Sequence, residues 1–132
     1  MISAAEVLLI EDDDLDRQLV QEVLALRGRG GVHVTEAHGF HEALVHLHGH
    51  RFDLILLDTK LPEISALSAL RAVGEAAPDT PILPHNPFIT TQLRQAARLR
   101  GPFDVAVRGD LNPLWNAASN LLAIDRGQRR SA

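Results

Sequence analysis

Three uninterrupted apolar runs of strand length constrain this chain more than anything else in it: Val7-Leu8-Leu9-Ile10, Leu54-Ile55-Leu56-Leu57 and Val105-Ala106-Val107. A strand with one wet face alternates apolar and polar residues. Continuity means that both faces are covered, the condition of a parallel strand with helices above and below. Val32-His33-Val34 and Pro81-Ile82-Leu83 are weaker strand candidates. Amphipathic stretches fill the intervals. Leu15, Leu19, Val23 and Leu26 fall at helical spacing ahead of the breaker Gly28-Arg29-Gly30-Gly31, which predicts the inner face of a first helix. Ala43, Leu44 and Leu47 mark a second helix, and Leu67, Leu70 and Val73 a third. A fourth starts near Thr90 or Thr91, with Leu93, Ala96 and Ala97 inward and Arg94 and Arg98 outward. In the fifth, Asn112 caps, Pro113 takes the first position, and Leu114, Ala118, Leu121 and Leu122 share a face.

Five β/α units in 132 residues imply an α/β fold with right-handed crossovers. A six-stranded dinucleotide-binding sheet needs more chain, and no G-x-G-x-x-G follows the first run. The expectation is therefore a flavodoxin-like five-stranded parallel sheet of order 2-1-3-4-5, flanked by five helices. Pro84 removes a ladder donor from the fourth strand, so that strand should be short. A single domain over residues 1–132 is expected, with its core at about 6–124 and a loose polar tail over 126–132.

Composition narrows the function. Thirteen basic against seventeen acidic residues give a net charge of −4, which offers no footprint for phosphate-backbone binding. The absence of cysteine excludes disulfides, thiolate catalysis and cysteine zinc sites. Glu6 and the run Glu11-Asp12-Asp13 break the N-terminal apolar stretch, so it does not read as a signal peptide. No apolar run reaches the ~20 residues of a membrane span. Nucleic acid and membrane are thus not expected as partners, and the expected location is the cytoplasm.

In open α/β sheets, ligands bind at the carboxyl ends of strands beside the switch point of strand order. Here the first strand ends in Glu11-Asp12-Asp13 and the third in Asp58. Adjacent strands bring these acids together, at a repulsive cost on the order of a kcal/mol per close pair. A hard divalent cation offsets it, and Mg²⁺ in particular works with one or two carboxylates, water and a phosphate. The alternative is that the acids cap a helix, for which Asp13 and Asp14 are well suited. Capping does not account for Asp58, which ends a different strand.

The sequence at this point resembles the receiver domain of response regulators, the phosphoacceptor module of two-component signalling. The likeness runs over about residues 6–124. It is carried by Val7-Leu8-Leu9-Ile10-Glu11-Asp12-Asp13 and by Phe52-Asp53-Leu54-Ile55-Leu56-Leu57-Asp58 with Leu61-Pro62. By that resemblance Asp58 is the phosphorylated aspartate, Asp12 binds Mg²⁺ directly, Glu11 binds it through water, and Lys60 contributes its backbone carbonyl. A carboxylate oxygen is a competent nucleophile toward phosphorus, giving an acyl phosphate. Phosphoryl transfer needs positioning and charge neutralisation more than acid–base work.

Three positions depart from the family pattern. Asn86 stands where receivers carry a Ser or Thr that grips the phosphoryl group; its amide donates a hydrogen bond but has another size and shape. Arg108, followed by Gly109, replaces a Lys-Pro pair, keeping the charge on a longer, flatter fork. Val105 occupies the place of an aromatic switch residue. Lys60 is the only lysine, every other basic residue being arginine, so the exchange at 108 also fits a general drift toward arginine.

The expectation is a stand-alone receiver that takes a phosphoryl group from a sensor histidine kinase or phosphotransfer protein and acts through an unknown downstream protein. The resemblance also allows a homodimer through the fourth helix, fifth strand and fifth helix. It implies a phosphoacceptor rather than an enzyme. One alternative is a degenerate receiver that binds partners without phosphorylation. Another is a haloacid-dehalogenase-like hydrolase with Asp12 as nucleophile and Asp14 as acid. Asp12-Asp13-Asp14-Leu15-Asp16 lacks that family's following Thr or Val, and the length holds no cap domain. His46, His48 and His50 invite a metal reading, but i, i+2 spacing on a helix points side chains apart, so they read as decoration of a helix end. Trp115 reads as packing rather than a ligand platform.

Overall fold

The computed structural model describes residues 4–85 and 111–122. In chain order the elements are β1 (Ala5–Ile10), α1 (Asp14–Gly28), β2 (Val32–Ala37), α2 (Phe40–Gly49), β3 (Leu54–Asp58), α3 (Ala66–Ala76), β4 (Ile82–His85) and α4 (Leu111–Leu122). The helix labelled α4 is the one expected fifth in the sequence. The expected fourth helix near Thr90 and the strand Val105–Val107 lie outside the described residues, as does the tail. All described strand pairs are parallel, in the order β2-β1-β3-β4. This is the α/β flavodoxin-like arrangement that the alternation of runs predicts.

The continuous apolar runs work as their pattern requires, because each strand feeds two cores. On one face Leu8, Ile10, Ile55 and Leu57 pack with Phe40, Ala43 and Leu47 of α2 and with Leu70 and Val73 of α3. On the other, Val7, Leu9, Leu54 and Leu56 pack with Val20 and Leu24 of α1 and with Trp115, Ala118 and Leu122 of α4. Burial of each large side chain stabilises the fold by about 1.5–3 kcal/mol relative to exposure. Trp115 is core, 3% exposed. Among the described residues β4 runs from Ile82 to His85, with Pro84 opposite Leu57.

One face was misassigned from sequence. Leu15, Leu19 and Leu26 are exposed at 64%, 42% and 78%, whereas Val20 and Leu24 are buried, with Val23 packed beside them. The stretch carries two overlapping sets of helically spaced apolar residues, and the sheet selects the second. At the end of α1, Gly28 lets the helix approach β2: a Cβ there would meet Val32 Cγ2 at 2.8 Å. α4 begins at Leu111, so Asn112 and Pro113 fall in its first turn rather than at the cap and first position.

Two caps connect the fold to the crevice. Asp13 accepts a hydrogen bond from the Asp16 N–H (2.8 Å), with Asp14 and Asp16 in the first turn of α1. The capping role suggested for the acidic run is therefore real, and Asp13 carries it. At α2 the cap position is Gly39, which has no side chain to offer. Glu63, from the loop after β3, supplies the carboxylate instead and accepts from the Phe40 N–H at 3.2 Å. A Cβ on Gly39 would lie 3.0 Å from Glu63 Oε2.

Candidate functional site

Strand register assembles the site. Ile10 lies opposite Leu57 in the β1–β3 ladder, so the residues leaving both strands meet at the same edge. Glu11, Asp12 and Asp58 each offer a carboxylate oxygen, and these atoms lie within 4.8 Å of one another. Glu11 and Asp58 are each 3% exposed, while Asp12 is exposed at the rim.

The backbone holds this cluster. The Lys60 N–H donates to Asp58 Oδ1 at 2.9 Å, and the Asp13 N–H donates to Glu11 Oε2 at 3.1 Å. These bonds orient two of the three acids but do not neutralise them. Burial, followed by its contact with Asp58, pushes the Glu11 carboxyl up to about 9. Asp12 is raised as well, first by partial loss of solvent and then by Asp58. Two carboxyls raised by burial and by a third beside them, with oxygen donors only, are the donor set of a hard divalent cation. The residues present thus fit Mg²⁺.

Other sequence candidates fall elsewhere. Asp14, the acid of the hydrolase alternative, has a side chain 92% exposed and pairs with Arg17. Among the described residues the histidines of α2 join no group able to hold a metal. His46 sits near Glu42 at 3.8 Å, and the His50 N–H closes the helix on the His46 carbonyl. Lys60 is exposed. Asn86, Val105 and Arg108 lie outside the described residues. Sequence reading overlooked Thr59, whose buried hydroxyl has no hydrogen-bond partner among the described residues. It also overlooked Arg17, whose one sequence signal is a cation closing an acidic run.

The fold and the acid cluster define a class: an open parallel α/β domain with a cation-ready acidic crevice at its strand switch point. Comparison with known proteins gives that class its family. The profile of the response regulator receiver domain matches residues 7–105. The transcriptional regulatory protein ZraR of Salmonella typhimurium is 29% identical over 127 residues, covering 96% of this chain and 28% of ZraR. DltR of Streptococcus agalactiae is 32% identical over 95 residues, covering 72% of this chain and 39% of DltR. The chain thus spans between a quarter and two fifths of these curated relatives. Among solved structures, a two-component response regulator from Clostridium difficile superposes with a TM-score of 0.77 at 19% identity, covering 90% of this chain and 96% of that one. TrrA of Thermotoga maritima, determined in complex with Mg²⁺-BeF, superposes with a TM-score of 0.72 at 22% identity, covering 89% and 98%. The chain belongs to the response regulator receiver domain family. Its acid cluster fits the Mg²⁺ site of such domains. Among the described residues no helix is long and apolar enough to cross a membrane.

Proposed function

We propose that this receiver accepts a phosphoryl group on Asp58 in a Mg²⁺-dependent reaction, and passes the signal on through protein–protein contacts. The observation that carries the reading is the convergence of Glu11, Asp12 and Asp58 within 4.8 Å. An oxygen of the Asp58 carboxylate attacks the phosphorus of a phosphohistidine or small-molecule donor. The new O–P bond forms as the donor's bond to phosphorus breaks, and the imidazole or acetate leaves. Asp12 and Asp58 would hold Mg²⁺ directly, Glu11 through water, and Lys60 through its carbonyl. When bound, the ion neutralises charge on the phosphoryl oxygens. The Lys60 N–H on Asp58 Oδ1 fixes one carboxylate oxygen, favouring attack by the other. Arg108 and Asn86 stand in sequence where the family's lysine and hydroxyl contact the phosphoryl group, and we assign them those contacts.

The donor is a histidine kinase or phosphotransfer protein, as is general for receivers. α1 supports that assignment: Leu15 and Leu19 are exposed on the helix that leaves the crevice. Apolar residues left bare beside a reactive site suit a partner that must lie against it. The changes at Asn86, Val105 and Arg108 favour one rival, a receiver that recognises partners without phosphorylation.

Intact mass after incubation with acetyl phosphate and Mg²⁺ decides between the two. The expected result is a gain of one phosphoryl group that is lost in Asp58→Asn and slowed in Asp12→Asn. A gain that persists in Asp58→Asn would mean another acceptor. No gain with any donor would favour the phosphorylation-independent rival.

A further inference from the structure

Arg17 belongs to no motif that the family reading uses, yet its side chain is only 11% exposed. Its fork is divided among three elements. One terminal nitrogen donates to the main-chain carbonyl of Glu11 at 3.1 Å, and the other pairs with the Asp14 carboxylate in the first turn of α1. Nε faces Glu36 Oε2 of β2 at 3.3 Å. An i, i+3 pair in water is worth little. A near-buried guanidinium that also binds a backbone carbonyl is a different object, because its planar donors fix relative positions.

What it fixes is the turn between β1 and α1. Glu11 is the first residue past β1. Its N–H donates to the Ala37 carbonyl (3.0 Å), its carboxylate accepts from Asp13, and its own carbonyl accepts from Arg17. Without that last bond the carbonyl, at the point where the chain leaves the sheet, would lose its side-chain donor. The adjoining residue is Asp12.

We propose that Arg17 is a positioning residue for the cation site, holding the Glu11–Asp12 turn by geometry rather than tuning the acids by charge. This rests on the Mg²⁺ reading of the cluster. Geometry is favoured because Arg17 reaches Glu11 through the backbone carbonyl and its charge is already matched by Asp14 and Glu36.

The two roles predict opposite signs. Removing a nearby positive charge strengthens cation binding, and loosening the turn weakens it. Mg²⁺ is titrated into the full chain, followed by amide NMR shifts, for the parent, Arg17→Gln and Arg17→Lys, with thermal melts to verify folding. Both variants are expected to bind Mg²⁺ about tenfold more weakly, the usual scale for groups that orient metal ligands. Lysine keeps the charge without the fork, so it does not rescue. Should Arg17→Gln fail to fold, Glu36→Gln removes one anchor of the fork and is expected to weaken binding about threefold. Tighter binding by Arg17→Gln with a parent-like Arg17→Lys would overturn the proposal in favour of charge screening. Unchanged affinity with a lowered melting temperature would reduce Arg17 to packing. A parent chain that binds no Mg²⁺ would instead sink the cation reading itself, and this inference with it.

Discussion

Glu11 keeps its proton to about pH 9 in the folded chain, against 4.5 for an ordinary glutamate. Between those values the folded state holds a proton that the unfolded chain has released. The free energy of unfolding therefore falls as pH rises through that window, and Asp12, raised in the same direction, adds to the slope. In EDTA the melting temperature should decline from pH 5 toward pH 9. Mg²⁺ should reverse the decline most strongly at the alkaline end, where protons no longer compete for the ligands. At a concentration a hundredfold above its Kd, the ion stabilises by about 2.7 kcal/mol. Asp12→Asn should blunt that response. Melts followed by circular dichroism check it, and a flat profile with no Mg²⁺ effect would contradict the site. The cluster was legible in the sequence because Glu11-Asp12 and Asp58 end continuous apolar runs, and strand ends are where such sheets collect ligands. Arg17 was not legible, because its anchor Glu36 lies on another strand and nothing local announces the contact.

The same contrast between local pattern and assembled partner decides the helices. α2 and α3 bury Ala43, Leu47, Leu70 and Val73 as their spacing predicts, with Leu44 and Leu67 half-buried, since each offers one apolar stripe. α1 offers two. Leu15, Leu19 and Leu26 form one set and Val20 and Leu24 another, and only docking on β1 and β3 determines which turns inward. Substitutions separate the two faces. Leu24→Ala should cost about 2–5 kcal/mol, the range for a core leucine. Leu19→Ala and Leu26→Ala should stay within about 0.5 kcal/mol. Urea denaturation of the three variants measures this, and a large loss at Leu19 would mean that the face is assigned wrongly. The cap of α2 was equally out of reach of sequence. Gly39 reads as a weak cap, and its true partner, Glu63, comes from the loop after β3. That contact ties the segment following Asp58 to a second helix, so the crevice is braced from α1 on one side and α2 on the other.

At the scale of the whole molecule, that bracing sets how far an event at Asp58 can travel. The two-sided core was readable from continuity alone, because a run such as Leu54–Leu57 has no wet face to give, and the described strand order β2-β1-β3-β4 from the count of β/α units in a chain of this length. For the response to phosphorylation the sequence offers only departures from the family pattern. By resemblance, a receiver switches when a hydroxyl moves toward the phosphoryl group and an aromatic residue on the fifth strand turns inward. A ligand shifts such an equilibrium only by its different affinity for the two states. Asn86 presents an amide in place of the hydroxyl, and Val105 has no ring whose turning would reshape a surface. Both changes reduce the difference between the states. By the same resemblance Arg108 is expected to keep a charge for the phosphoryl oxygens, so binding at the crevice should survive while its transmission weakens. Coupling between Asp58 and the distant face is therefore expected below about 1 kcal/mol, under the usual range for such switches. Backbone NMR shifts with Mg²⁺ and beryllofluoride, a phosphoryl mimic, read this directly. Shifts confined to residues near Glu11, Asp12, Asp58 and Lys60 are the expected result. Large shifts running from Thr90 through Leu122 would show that an amide and a valine still support a full switch. Restoring the family residues with Asn86→Thr and Val105→Tyr should then extend the response of the parent toward that range.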